Sequence, residues 1–348
     1  MSKVRLGFLG AGMMGQLAHM QNYAQIEDCE IAAIAESKQK QAERVAAAYN
    51  IPRIYRDYRE MLSDPAIDAV VASQPFGNHV NLVPDILKAG KHLMTEKPLC
   101  IYSNNGRILA DCAAKAGKIH MVGYHKRSDL ATEYAMEVIS AWKQSGELGK
   151  MKYIRISMPP GDWVGGSRKP LRSDEKPQEF VREAVPSGID QTIDQEYVKF
   201  VNYYIHQVNL MRFLMGEDYK LTFADRTGVL LAAESSGGIA GIIEMEAFTT
   251  TDDWQEQALI CFAKGWIRID FPAPLASQQA GKVTVFNNAK SQGITTSPRL
   301  SNEHAMLNQA RNFIKAVRGE KPAPCTSAEA VKDLEIAMDY ITMFRKHS

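Results

Sequence analysis

The stretch Val4-Arg5-Leu6-Gly7-Phe8-Leu9-Gly10-Ala11-Gly12-Met13-Met14-Gly15 decides the fold. A short apolar run reads as a buried strand, ends in G-x-G-x-x-G, and leads into helical spacing over residues 13–26. Each glycine of such a loop has a physical reason. One allows a tight turn, one lets the backbone approach a pyrophosphate, and one lets helix pack closely on strand. The helix start offers N–H groups and a positive dipole end to phosphate. A second apolar run, residues 30–35, closes on Glu36, about 20 residues past Gly15. A carboxylate there accepts hydrogen bonds from the adenosine ribose hydroxyls and repels a 2′-phosphate. The expected cofactor is therefore NAD, with NADP favoured only if Ser37 and Lys38 assist a phosphate.

Working outward, strands are expected at 53–55, 69–72, 92–95 and 119–122. Helices are expected at 38–49, 58–62, 79–89 and 104–116. Such alternation implies right-handed crossovers and a doubly wound parallel sheet covered on both faces. After Gly123 the rhythm changes. Residues 151–158 alternate as a half-exposed strand, and 159–189 is rich in Pro, Gly and charge and reads as a lid or long loop. A helix follows at 197–215. Strand-like runs come next at 219–224, 228–233, 238–250, 257–263, 266–271 and 283–286, then helices at 303–317 and 328–344. Successive strands without intervening helices indicate an open, mostly antiparallel sheet. The expected division is an α/β Rossmann domain at 1–124 and an α+β domain at 125–348.

The chain has 348 residues, room for two domains. Lys plus Arg number 41 against 40 Asp plus Glu, a balance that disfavours nucleic acid as a partner. With 45% apolar and 23% charged residues the composition is that of a folded chain. No apolar window is long enough for a membrane span, and the first apolar run breaks at Gly10, too soon for a secretory signal. Cys29, Cys100, Cys112, Cys261 and Cys325 are scattered, with neither disulfide-scaffold nor metal-ligand spacing. The expectation is a cytoplasmic protein without a bound metal.

Further motifs follow later strands: Ser73-Gln74-Pro75-Phe76-Gly77-Asn78-His79, Thr95-Glu96-Lys97-Pro98 and Val122-Gly123-Tyr124. With the glycine loop, they resemble the glucose–fructose oxidoreductase/inositol dehydrogenase/rhizopine-catabolism (Gfo/Idh/MocA) family over nearly the whole chain. The resemblance implies that Gly10, Gly12 and Gly15, with Met13 and Met14 between them, hold the pyrophosphate, and that Glu36 and Ser37 face the adenosine ribose. It places Ser73, Gln74, Pro75, His79 and His125 on the nicotinamide side and Glu96 at the nicotinamide ribose. Lys97 then bridges ribose and substrate, with Pro98 in a cis peptide, and Tyr124 and Arg127 lie toward substrate. The family pattern Asp-x-x-x-His-x-x-Asp is met by Asn202-Tyr203-Tyr204-Ile205-His206-Gln207-Val208-Asn209, with both aspartates replaced. Positions 202 and 206 share a helical face. His206 is the implied acid/base. Asn202 can only orient it by hydrogen bonds, so either catalysis is tuned differently or a nearby acid such as Asp190 or Asp194 replaces the missing carboxylate.

The chemistry these residues imply is hydride transfer between the nicotinamide and a secondary hydroxyl or keto carbon of a sugar, inositol or sugar derivative. An imidazole with an ordinary pKa near 6.5 suits the proton transfer, and the Lys97 ammonium steadies a developing alkoxide. Trp163 and Tyr197 are candidate stacking surfaces for the substrate. Two other readings stand beside this one: a glycoside hydrolase or lyase that retains NAD and oxidises a sugar carbon transiently, and a non-catalytic NAD(H)-binding regulatory protein. The resemblance also implies a homodimer or homotetramer formed through the C-terminal sheet.

Overall fold

The apolar runs of the first third form a parallel sheet. Its strands are β1 (Val4–Leu9), β2 (Cys29–Ala35), β3 (Ile54–Tyr55), β4 (Ala69–Ala72), β5 (His92–Glu96) and β6 (His120–Gly123), in the order β3-β2-β1-β4-β5-β6. Strands covered on both faces are apolar throughout, and every residue of β4 is buried. The order reverses between β1 and β4, which sets a crevice at the carboxyl ends of the strands. The structure is a computed structural model and describes residues 2–176, 179–290 and 292–346.

The first crossover begins as a wide π-helical segment, Gly15–Met20, and continues as α1 (Gln21–Tyr23). The others are α2 (Gln39–Tyr49), α3 (Tyr58–Ser63), α4 (His79–Lys88) and α5 (Ser103–Ala116). Asp57 caps α3 by accepting the Arg59 N–H.

The chain divides into two units, each assembled from three segments. The first runs to Tyr124 and takes in Arg168–Asp194 and Gln309–Leu334. The second comprises His125–Ser167, Gln195–Asn308 and the chain from Glu335. The two later returns to the first unit carry no local signal in the sequence. They are held by long-range contacts: Met121 bridges Thr326, and Val122 N–H donates to the Cys325 carbonyl at 3.0 Å. The described part of the 159–189 stretch has neither helix nor strand, and it passes from the second unit to the first at Arg168.

In the second unit the chain adds α6 (Leu130–Ser145), which the sequence reading omits. Its signals are present: Asp129 accepts the Ala131 N–H as N-cap, and Gly146 follows the helix at φ 67°. The sheet comprises β7 (Met151–Ser157), β8 (Tyr219–Ala224), β9 (Leu230–Ser235), β10 (Ala240–Glu244), β11 (Glu256–Phe262), β12 (Gly265–Phe271), β13 (Lys282–Asn287) and β14 (Ile294–Thr296). Their order is β14-β13-β12-β11-β7-β10-β9-β8. Pairing is antiparallel except between β7 and β10. In β11 and β12, buried and half-exposed residues alternate, as expected of a sheet with one open face. Tyr153, Cys261, Trp266 and Phe286 stand in register across that open face, with the Trp266 and Phe286 rings stacked at 5.8 Å.

Helices α7 (Gln191–Met215), α8 (Ala305–Val317) and α9 (Ser327–Lys346) carry the chain from one unit into the other. Among the described residues, no helix is long and apolar enough to cross a membrane.

Candidate active site

In the first unit the glycine loop forms a cradle with one open side. Gly10 sits at φ 97°, a conformation that disfavours side chains, and a Cβ there would meet Gln74 Nε2 at 2.5 Å. A Cβ on Gly15 would meet Ser73 Oγ at 2.7 Å and the Gly10 carbonyl at 2.8 Å. Ser73 and Gln74 thus wall the loop from the end of β4. A Cβ on Gly12 would meet nothing within 4 Å, which leaves room for a phosphate to approach the backbone. Met13 and Met14 are half-buried at the helix start. Glu36 reaches back from the end of β2: one carboxylate oxygen accepts the Ala11 N–H at 2.9 Å and the other the Lys38 N–H at 3.1 Å, with Ser37 Oγ at 3.4 Å. The oxygen that accepts from Ala11 keeps a lone pair for a ribose hydroxyl. These residues fit a dinucleotide.

At the end of β5, Glu96 is buried and its Oε1 lies 2.6 Å from His19 Nε2, on the helix that follows the loop. Burial alone would raise the Glu96 pKa. The His19 hydrogen bond and charge and the neighbouring Lys97 hold it below its ordinary value, so the carboxylate is ionised. Its second oxygen accepts the Lys97 N–H at 3.2 Å. The Lys97–Pro98 peptide is cis, and Lys97 is half-buried.

His79 is fully buried, with Nδ1 2.9 Å from the Leu99 carbonyl and Nε2 3.3 Å from the Gln74 carbonyl. Burial lowers its pKa against those hydrogen bonds, so the ring is neutral. It joins the Gln74-Pro75 turn to the segment after Pro98 from beneath, in place of the cofactor contact implied by resemblance. Tyr124 is also buried, 2% exposed.

Several partners in this unit escape sequence reading. Leu171 is tied across the loop: Gln16 and Gln41 both donate to its carbonyl, at 2.9 and 2.6 Å, and its N–H donates to Gln16 Oε1 at 2.8 Å. Both glutamines also donate to the Ala11 carbonyl, and Arg44 donates to the Arg172 carbonyl. Farther along, buried Glu183 accepts the N–H groups of Ile101 and Tyr102 and the Asn105 amide; its pKa is raised by burial.

In the second unit the turn His125–Ser128 is buried, and its side chains engage α7. The His125 ring meets His206 edge-on, with centroids 4.5 Å apart. Arg127 Nε donates to Asn209 Oδ1 at 2.7 Å, and its guanidinium lies 4.6 Å over the Phe213 ring. His206 is half-buried and Asn202 exposed, so the helix presents both at its surface. Trp163 is 36% exposed and available for stacking. Tyr197 is 0% exposed, a packing position with no ring face for a sugar, which corrects that expectation.

The expected substitute carboxylates are also corrected. Asp190 caps the start of α7 through the Ile193 N–H. Asp194 takes two hydrogen bonds from Arg182 and one from Tyr102 Oη. Both carboxylates are thus committed to partners of their own at the start of α7 and on Arg182 and Tyr102.

With this geometry in view, residues 4–124 match the Gfo/Idh/MocA family model, described as an oxidoreductase family with an NAD-binding Rossmann fold. This stretch belongs to that family. The myo-inositol 2-dehydrogenase of Thermotoga maritima is 27% identical over 234 residues, covering 67% of this chain and 61% of that protein. The chain thus spans less than two thirds of that relative's length. The scyllo-inositol 2-dehydrogenase (NAD(+)) of Bacillus subtilis is 24% identical over 359 residues, covering 99% of this chain and 94% of that protein. Among solved structures, an NAD-binding oxidoreductase from Klebsiella pneumoniae superposes with a TM-score of 0.77 at 16% identity, covering 100% of this chain and 98% of that one. At that identity the likeness speaks for the fold alone.

Proposed function

We propose that this Gfo/Idh/MocA protein is a cytoplasmic NAD-dependent oxidoreductase acting on a secondary hydroxyl or keto carbon of a sugar, inositol or sugar derivative. The observation that carries the reading is the His19–Glu96 pair. It ties the helix of the dinucleotide loop to the turn that presents Lys97, so the cofactor cradle and a lysine are built as one piece. NAD, when bound, supplies the hydride acceptor. Gly12 and the helix start receive the phosphates, Glu36 the adenosine ribose and Glu96 the second ribose. Lys97 places its positive charge at the reacting oxygen, and His206 takes the hydroxyl proton. The inositol dehydrogenases among its relatives support the substrate class. Among the described residues no cysteine forms a disulfide, and Cys29, Cys100 and Cys325 are buried, which suits a reducing compartment. The open sheet face around Trp266 and Phe286 is the proposed surface for a homodimer or homotetramer.

The test is a screen of sugars, inositols and glycosides with NAD and NADP, following reduced cofactor and released aglycone together. NADH formation on a polyol is the expected result; no turnover of any polyol or sugar sinks the reading.

One observation favours a second reading. The Leu171 segment is fixed across the glycine loop, which suits a cofactor kept through many turnovers. An NAD-retaining glycoside hydrolase or lyase would release aglycone in the same screen without net NADH.

A further inference from the structure

The turn His125–Ser128 meets α7 directly at two points, and between them an ion pair ties it to β11. His125 meets His206 through ring contact and Arg127 meets Asn209 through a hydrogen bond. Between them, Lys126 Nζ lies 2.5 Å from Glu256 Oε2, at the start of β11, with side chains 4% and 0% exposed. The other Glu256 oxygen accepts Gln207 Nε2 at 2.6 Å, from the residue next to His206. Trp254 Nε1 donates to the same carboxylate at 3.2 Å, and the Lys126 ammonium sits 5.1 Å over the Phe271 ring. One buried carboxylate therefore grips the residue after His125 and the residue after His206.

We propose that Glu256 is a positioning residue that fixes the His206 imidazole against His125. This rests on the reading of His206 as the proton acceptor. Stability alone is a poor reason for such a group. Two charges out of water cost as much as their attraction returns, and apolar side chains of similar volume often serve as well. What the carboxylate adds is direction, because its two oxygens hold donors from two different elements at once. The need for direction is local. The positions four before and three after His206 are Asn202 and Asn209, neutral amides without the charge an aspartate would bring. With Glu256 in place, the turn and the helix cannot slide past one another without breaking either the buried ion pair or the Gln207 hydrogen bond.

The test uses three variants of the full-length protein: Glu256→Gln, the apolar double variant Lys126→Met/Glu256→Leu, and His206→Ala. Turnover of the polyol that the screen identifies, NADH affinity, thermal midpoint and the ring resonances of labelled histidines are measured on each. Glu256→Gln is expected to lower kcat about 100-fold, the scale for a misplaced catalytic group, with NADH affinity unchanged and the His125 and His206 resonances shifted. The double variant is expected to recover the wild-type midpoint while kcat stays low. That split separates positioning from fold support, and it also carries the test if Glu256→Gln fails to fold. Wild-type kcat in the double variant, or unmoved His206 resonances in a folded Glu256 variant, overturns the proposal. If His206→Ala keeps full turnover, the proton-acceptor reading fails instead, and the resonances still report whether Glu256 sets the ring.

Discussion

His19 Nε2 lies 2.6 Å from Glu96 Oε1, joining two positions 77 residues apart in sequence. The bond sets the geometry of the turn before Pro98, because the same carboxylate accepts the Lys97 N–H. His19→Ala leaves a buried ionised carboxylate without its main partner, which costs about 3–5 kcal/mol. The expected outcome is a lower denaturation midpoint at pH 7 and weaker NADH binding. Glu96 has a depressed pKa, so its stabilisation is present above the unfolded value near 4.3 and is lost as pH falls through the folded one. Wild type and variant should therefore converge in stability toward the acid end. A constant gap down to pH 3 refutes this account.

A second pH effect comes from His120. Burial, with a smaller contribution from His79, pushes its pKa down to about 3, and its Nε2 lies 3.1 Å from Thr95 Oγ1. The unfolded chain takes up the proton first, so stability falls as pH drops below about 6.5, with a slope of up to about 1.4 kcal/mol per pH unit from this residue. His120→Gln should flatten that slope in denaturant titrations at pH 7, 6 and 5. An unchanged slope counts against a neutral buried His120.

Gly12 and Gly15 should fail in different ways. Gly15→Ala drives a methyl against Ser73 and the Gly10 carbonyl, so both stability and NADH binding should drop. Gly12→Val meets no protein atom within 4 Å of its Cβ, so the thermal midpoint should hold while NADH binding is lost by at least tenfold. Fluorescence titration and calorimetry separate the two. Intact NADH binding in Gly12→Val removes the cradle from the proposed site.

The ties to Leu171 predict a kinetic effect. Gln41→Ala deletes one donor to its carbonyl and one to that of Ala11. At about 0.5–1.5 kcal/mol per hydrogen bond, stopped-flow release of NADH should quicken roughly tenfold. Release at the wild-type rate means the segment does not hold the cofactor.

His206→Ala should lower kcat by roughly two to four orders of magnitude with NADH affinity intact. Equal loss of affinity would point to a cofactor-binding role.

Local patterning explains what was readable from the sequence. The run into Gly10, the four apolar residues of β4 and the alternation of β11 and β12 each declare an element within a few residues. Helix α6 is equally legible from its Asp129 N-cap and from Gly146 just past its end. The partners were not readable. Glu256 and Lys126 are 130 residues apart, and Leu171 lies 155 from Gln16. Neither pairing leaves a local trace, because a buried glutamine or glutamate spells nothing until its partner arrives. Tyr197 shows the opposite error: an aromatic at a tempting address that turns out to be filling.

The return of residues 309–334 to the first unit bears on how the protein is made. The Tyr23 ring meets Phe313 edge-on at 6.5 Å, and β6 waits for Cys325 and Thr326. At about 5–20 residues per second, a ribosome that has finished Tyr124 still needs roughly 10–40 s to reach Leu334. The nucleotide-binding half therefore spends most of synthesis incomplete. A gene cut after Tyr124 would encode all six strands of the sheet without the Phe313 and Cys325–Thr326 contacts that cover Tyr23 and β6, and so would not encode a portable module.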